Sequence, residues 1–330
     1  MRIRYFYIVL LIIVFFVVFV FFWGKNTKNV TIHNETNKVN YINTNNIANK
    51  SNLAFINDDV FVYYCDICEK EGLYLRLNKD EKILIDIGDI SNIIILDDWI
   101  YYIKTNYIND YGQYILYRSD FNGENRSIIL KDVQDVHIID GKIYYRKSYF
   151  ALGGSKNIEM DDLGYIYVCD MNGENIQKLI EEKTNILSNM LVYENSIYYE
   201  IDNNIIQYNI NSKNRKVILS FKDELKNKRF LICNDILLIK KNNKFIVYNL
   251  ITEKEEKSID NIGYVNFFTF DNNKVYFLKP DKTLNIYNLE LNNIETFIYT
   301  GIQNYIQTYN SKHYVVSGDG IFCIEDIINN

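Results

Sequence analysis

The chain has 330 residues, a formal net charge of −6 and 48% hydrophobic side chains, enough apolar material for a large core. No block of Lys and Arg runs through its repeat region, so it lacks the basic surface that nucleic acid requires, and nucleic acid is excluded as a partner. Tyr (29) and Phe (19) are abundant while Pro occurs once, a balance that favours half-buried strands joined by Asn and Asp turns.

Residues 1–4 are a short tail. From Tyr5 to Trp23, nineteen residues follow without a charge or a glycine. As a helix this segment would span roughly 28 Å, close to the ~30 Å hydrocarbon core of a bilayer, which predicts a transmembrane helix over 5–23. It ends in Phe22-Trp23-Gly24-Lys25-Asn26 with no small-residue cleavage site, and so reads as an uncleaved signal anchor. Arg2 and Arg4 before the span balance Lys25 and Lys28 after it. The free amino terminus tips that count inward, which places the C-terminal domain outside the cytoplasm. Residues 24–37, rich in Asn, Thr and Lys, read as a solvated tether.

The rest of the chain, 38–330, carries one unit seven times: a turn of Asp, Asn or Gly followed at once by a short apolar-aromatic strand. The copies end at Phe61, Ile100, Ile143, Ile197, Ile236, Val275 and Tyr314, with steps of 39, 43, 54, 39, 39 and 39 residues. A period of about 40 with strand signals alone predicts the blades of a β-propeller. The expected fold is therefore all-β, a seven-bladed propeller of four-stranded antiparallel blades. Blade two shows the unit best, as Asn92–Leu96, Trp99–Ile103, Tyr114–Arg118 and Arg126–Leu130. The seventh copy stops after its third strand. An open ring exposes a strand edge, so Lys38-Val39-Asn40-Tyr41-Ile42, which alternates apolar and polar residues, is expected to close it beside Ile321–Ile324.

Asp120-Phe121-Asn122-Gly123-Glu124-Asn125 and Asp170-Met171-Asn172-Gly173-Glu174-Asn175 join third and fourth strands in blades two and three. Asn-Gly supplies the positive φ of a tight hairpin, so these are turns in the first reading and calcium-type loops in the second. The order of an Ile-Tyr-Tyr strand, a Leu-Tyr-Arg-x-Asp strand, an Asn-Gly-x-Asn turn and a Lys-Leu-Ile strand resembles a bacterial family of uncharacterised β-propellers. That family is itself similar to the propeller of low-density-lipoprotein receptors, although the receptor-type Tyr-Trp-Thr-Asp tetrad is absent. The resemblance spans about residues 53–330. It implies a fold and a binding role, and no catalytic residues.

Cys65-Asp66-Ile67-Cys68 falls in the loop after the second strand of blade one, where two Cys at that spacing make a local disulfide, a pair of free thiols or half a metal site. Cys169, Cys233 and Cys323 lie in or beside strands and read as small buried hydrophobes. His33 belongs to the tether, while His137 and His313 lie in or next to strands and read as structural. No nucleophile elbow, P-loop, dinucleotide fingerprint or zinc-protease motif occurs, so no enzyme activity and no cofactor is expected. The repeat is expanded between second and third strands in blades two and three. Those expansions bring Tyr107, Tyr111, Tyr149 and Phe150 to one face, where exposed aromatics beside Asn, Lys and Asp suit a protein or glycan ligand. The expected function is a membrane-anchored, extracytoplasmic binding module for a protein or cell-envelope polymer. The alternatives are a carbohydrate-active hydrolase or lyase and a structural subunit of a membrane complex.

Overall fold

The structure, a computed structural model, describes residues 52–323 except 57–59, 67, 79–80, 109–110, 149, 152–162, 185–187, 222–228, 242–243, 261–264, 266, 272–273, 280–282, 299–302, 310–311 and 318–319. The expected membrane span 5–23, tether 24–37 and closing strand 38–42 lie outside the described residues. Among the described residues no helix is long and apolar enough to cross a membrane.

Blade one is β1 (Leu53–Phe55), β2 (Phe61–Cys65), β3 (Gly72–Arg76) and β4 (Lys82–Ile87). Blade two is β5 (Ile90–Leu96), β6 (Trp99–Ile108), β7 (Tyr111–Ser119) and β8 (Ser127–Lys131). Blade three is β9 (Val133–Ile139), β10 (Lys142–Lys147), β12 (Ile166–Asp170) and β13 (Gln177–Ile180), with the short β11 (Phe150–Ala151) between its second and third strands. Blade four is β14 (Leu191–Tyr193), β15 (Ser196–Ile201), β16 (Asn204–Asn209) and β17 (Arg215–Ser220). Blade five is β18 (Arg229–Cys233), β19 (Ile236–Lys241), β20 (Lys244–Asn249) and β21 (Lys254–Ile259). Blade six is β22 (Phe267–Asp271), β23 (Lys274–Leu278), β24 (Thr283–Asn288) and β25 (Asn293–Ile298). A last sheet holds β26 (Gln303–Tyr309), β27 (Lys312–Ser317) and β28 (Gly320–Cys323).

Each blade is an antiparallel meander, so the described residues give six four-stranded blades followed by a three-stranded sheet. The seven four-stranded blades expected from the repeat are therefore corrected to six. The seventh copy contributes three strands among the described residues.

The repeat follows from burial on both faces of every blade. In the second strands, Tyr101, Tyr144 and Tyr198 are buried on one face, and Tyr102, Tyr145 and Tyr199 on the other. A strand covered on both sides reads as a continuous apolar run, which is why these segments do not alternate. Turns into the second strands take left-handed backbone, with positive φ at both Asp140 and Gly141 and at both Asn234 and Asp235, the geometry a two-residue hairpin loop needs. The three-stranded sheet packs on blade one: Tyr314, Leu53 and Phe61 share a buried cluster, and the Phe55 and Tyr314 rings lie 4.4 Å apart.

The outer strand of each of the six blades meets the third with a register shift, between Leu73 and Tyr74, Leu116 and Tyr117, Ile166 and Tyr167, Ile205 and Ile206, Val247 and Tyr248, and Ile286 and Tyr287. Such bulges twist an edge strand away from flat pairing.

Candidate functional site

Connections from second to third strands, and from each fourth strand into the next blade, emerge at the same end of the blades because the strands alternate in direction. At this end blades two and three depart from the repeat. The β6–β7 hairpin runs on past its neighbours until Tyr107 pairs with Gly112 and Ile108 with Tyr111. Strand β11 leaves blade three and pairs with β7 of blade two, Phe150 opposite Gly112 and Ala151 opposite Tyr111. The two expansions share a sheet, with Tyr107, Gly112 and Phe150 in one cross-strand row. Tyr111 and Phe150 are placed by their backbones; Tyr149 lies outside the described residues.

The extension is held on two sides. Tyr107, 60% exposed, donates its hydroxyl to Asp89 Oδ2 at 2.9 Å, and Gln113 Nε2 donates to Asp132 Oδ1 at 2.9 Å. Asp89 and Asp132 occupy equivalent places in the connections that lead into blades two and three. The Asp89 carbonyl accepts from the Thr105 N–H and the Asp132 carbonyl from the Ser148 N–H, each at 2.9 Å. The bond to Asp89 is the main reason the Tyr107 phenol titrates above its usual range, with burial and the Asp89 and Glu71 charges adding to it.

On the adjoining end of blade one, Cys65 and Cys68 form a disulfide across a sequence separation of three. The base of this loop is pinned by Tyr64, whose hydroxyl donates to Glu71 Oε1 at 2.6 Å, and by Tyr74, which donates to the Lys70 carbonyl at 2.6 Å. Among the described residues no three His, Cys, Asp or Glu side chains converge to hold a metal.

Two ionic clusters, each built on a buried side chain, escaped the reading of the sequence. Asp86 stands in β4 where the pairing register places Leu130, Ile180 and Leu219 in blades two to four. Its carboxylate accepts from Tyr102 Oη at 2.9 Å, Lys104 Nζ at 3.1 Å and Arg126 Nη1 at 2.5 Å, all from blade two. A single Asp in an apolar alternation carries no signal of such a role.

The second cluster joins blades three and four. Arg146 is fully buried, pairs with Asp135 and donates to the Ser188 carbonyl at 2.7 Å. The bulge at Asp135, with φ 51°, turns its carboxylate toward Arg146 and the Met190 N–H. His137 lies 3.1 Å from the Met190 carbonyl and must donate through Nε2; burial pushes its pKa down to about 4. It is therefore a neutral structural donor. Farther round, Asn189 clamps the Phe230 backbone, donating to its carbonyl at 2.7 Å and accepting its N–H at 2.9 Å.

The Asp-x-Asn-Gly-x-Asn segments are turns. Asp120 Oδ1 accepts from the N–H groups of Asn122 and Glu124, and its Oδ2 from the Asn125 amide, so protein donors occupy the oxygens a cation would use. Asp170 repeats the contact with Asn175.

No family model matches the chain, and no curated protein matches it. Solved structures do. YCF48 bound to D1 peptide is 12% identical over 82% of this chain and 89% of its own, with a TM-score of 0.58. The computationally designed Ika8 protein is 11% identical over 83% of both chains, with a TM-score of 0.55. BamB from Moraxella catarrhalis is 12% identical over 82% of this chain and 92% of its own, with a TM-score of 0.50. Together with the blades described above, these likenesses define the chain as a β-propeller. The resemblance of its repeat to an uncharacterised bacterial family rests on the motif residues alone.

Proposed function

We propose that the protein is an interaction module, held at a membrane by residues 5–23 with its propeller outside the cytoplasm. It binds a protein segment or a cell-envelope polymer through the end of blades two and three. The observation that carries this reading is the shared sheet, in which Phe150 of blade three pairs with Gly112 of blade two opposite Tyr107. A loop that only connects two strands needs no backbone pairing to the next blade. One that presents residues in fixed positions benefits from it, and Tyr is a residue interfaces favour. YCF48, a propeller of similar fold, is known bound to a peptide, which supports a peptide as one kind of ligand. In the same reading, residues 38–42 supply a strand beside β28 of the last sheet. The burial of Leu53 and Phe61 with Tyr314 supports this, since it sets blade one, which follows that segment, next to the three-stranded sheet. No catalytic role is proposed.

A photo-cross-linking residue placed at Tyr107 in intact cells should give a discrete adduct. The same residue at Glu253, in a turn at the other end of blade five, should not. Replacing Tyr149 and Phe150 by Ala should weaken the Tyr107 adduct. Identical adduct patterns from both positions would overturn the binding face, and protection of the propeller from protease added outside intact cells would overturn its location.

A further inference from the structure

The Cys65–Cys68 bridge does little of what a structural disulfide does. It closes a very short loop, and cross-links stabilise a fold mainly by restricting long loops in the unfolded chain. The base of the loop is fixed without it. Pairing of β2 with β3 continues to Cys65 opposite Gly72, Tyr64 holds Glu71, Tyr74 holds the Lys70 carbonyl, and the Gly88 N–H donates to the Glu71 carbonyl at 3.0 Å. Both cysteines are half-buried, at the end of the blades that carries Tyr107, and the loop between them and Gly72 exposes Asp66, Glu69, Lys70 and Glu71. Cys169 is a poor competitor for exchange: burial raises its thiol to about 11, leaving it protonated at neutral pH.

We infer that Cys65 and Cys68 form an exchangeable dithiol–disulfide couple whose reaction partner is a dithiol, and that opening it frees the acidic loop of blade one while the propeller stays folded. A thiolate of the incoming dithiol attacks one sulfur of the bridge, the Cys65–Cys68 bond breaks, and the departing cysteine thiolate takes a proton. The second thiol of the reductant then displaces the mixed disulfide, releasing the other cysteine. Two electrons and two protons pass to the pair, and the reductant leaves as its own disulfide.

The test uses the full-length protein in detergent, equilibrated across ratios of reduced to oxidised dithiothreitol and trapped by alkylation. The peptide containing Cys65 and Cys68 should pass from no alkyl group to two as the ratio rises. Hydrogen exchange should increase in residues 66–70 alone, and the melting temperature should move by less than about 5 °C. The Cys65→Ser/Cys68→Ser variant should melt within the same margin. A single redox state at every ratio in the folded protein, or reduction only together with loss of the propeller, would overturn the inference.

Discussion

Gly123, in the turn of blade two, faces the main-chain oxygen of Ile85 in blade one so closely that a Cβ at this position would lie 2.7 Å from it. Gly173 makes the equivalent approach to the Ile129 oxygen of blade two, and both glycines hold positive φ. The Asn-Gly turns are thus docking points between blades as well as hairpin ends. Gly123→Ala and Gly173→Ala should each cost roughly 2–4 kcal/mol, combining left-handed strain with a backbone clash. Gly141→Ala, at φ +69° with open space around it, carries the strain alone and should cost about 1 kcal/mol. Equal losses in denaturant titrations would remove the docking role.

Asp86 gathers three donors from the next blade into a buried site. Asp86→Asn leaves Lys104 and the half-exposed Arg126 facing a neutral group and should destabilise by about 1–2 kcal/mol. Because blades two to four place Leu or Ile here, Asp86→Leu combined with Tyr102→Phe should recover part of that loss. A double-mutant cycle between Asp86 and Tyr102 should show a coupling of about 1 kcal/mol or more.

His137 has a folded pKa of about 4, below the 6.5 of an unperturbed imidazole. The unfolded chain therefore binds the proton first, and stability falls as pH drops from about 6.5 toward 4, by up to roughly 3 kcal/mol. Below that window both states are protonated and the contribution is constant. His137→Gln keeps a donor for the Met190 carbonyl, so its stability should vary less than the wild type's across this window. Parallel urea titrations at pH 7 and 4.5 would measure the difference.

Phe55 and Tyr314 join the first blade to the last sheet across most of the chain's length. Truncating Tyr314 to Ala should cost about 3–5 kcal/mol, and a cycle with Phe55→Ala should reveal coupling of about 0.5–1.5 kcal/mol. Additive losses would mean that the first and last sheets do not depend on each other.

Much of the propeller was legible because its signals are local. An Ile-Tyr-Tyr strand buried on both faces and an Asp or Asn turn with positive φ each occupy a few adjacent residues, and they recur. The shared sheet at the candidate site was legible only as two loops on one face. Pairing of Phe150 with Gly112 is settled by where blade three docks on blade two, which no short window contains. Asp86 and Arg146 were invisible for a related reason. Each is one charge in an apolar strand, and its partners, Arg126 and Ser188, are about forty residues away. The Cys65–Cys68 motif was legible as a pair, but the tyrosine contacts that make the bridge dispensable to the loop's base came only with the folded neighbours.

The kinked outer strands have a consequence for crowding. Six slips in register mean that none of the six four-stranded blades offers another molecule a straight outer backbone to copy. Crowded copies would therefore gain little from strand-to-strand pairing through these blades.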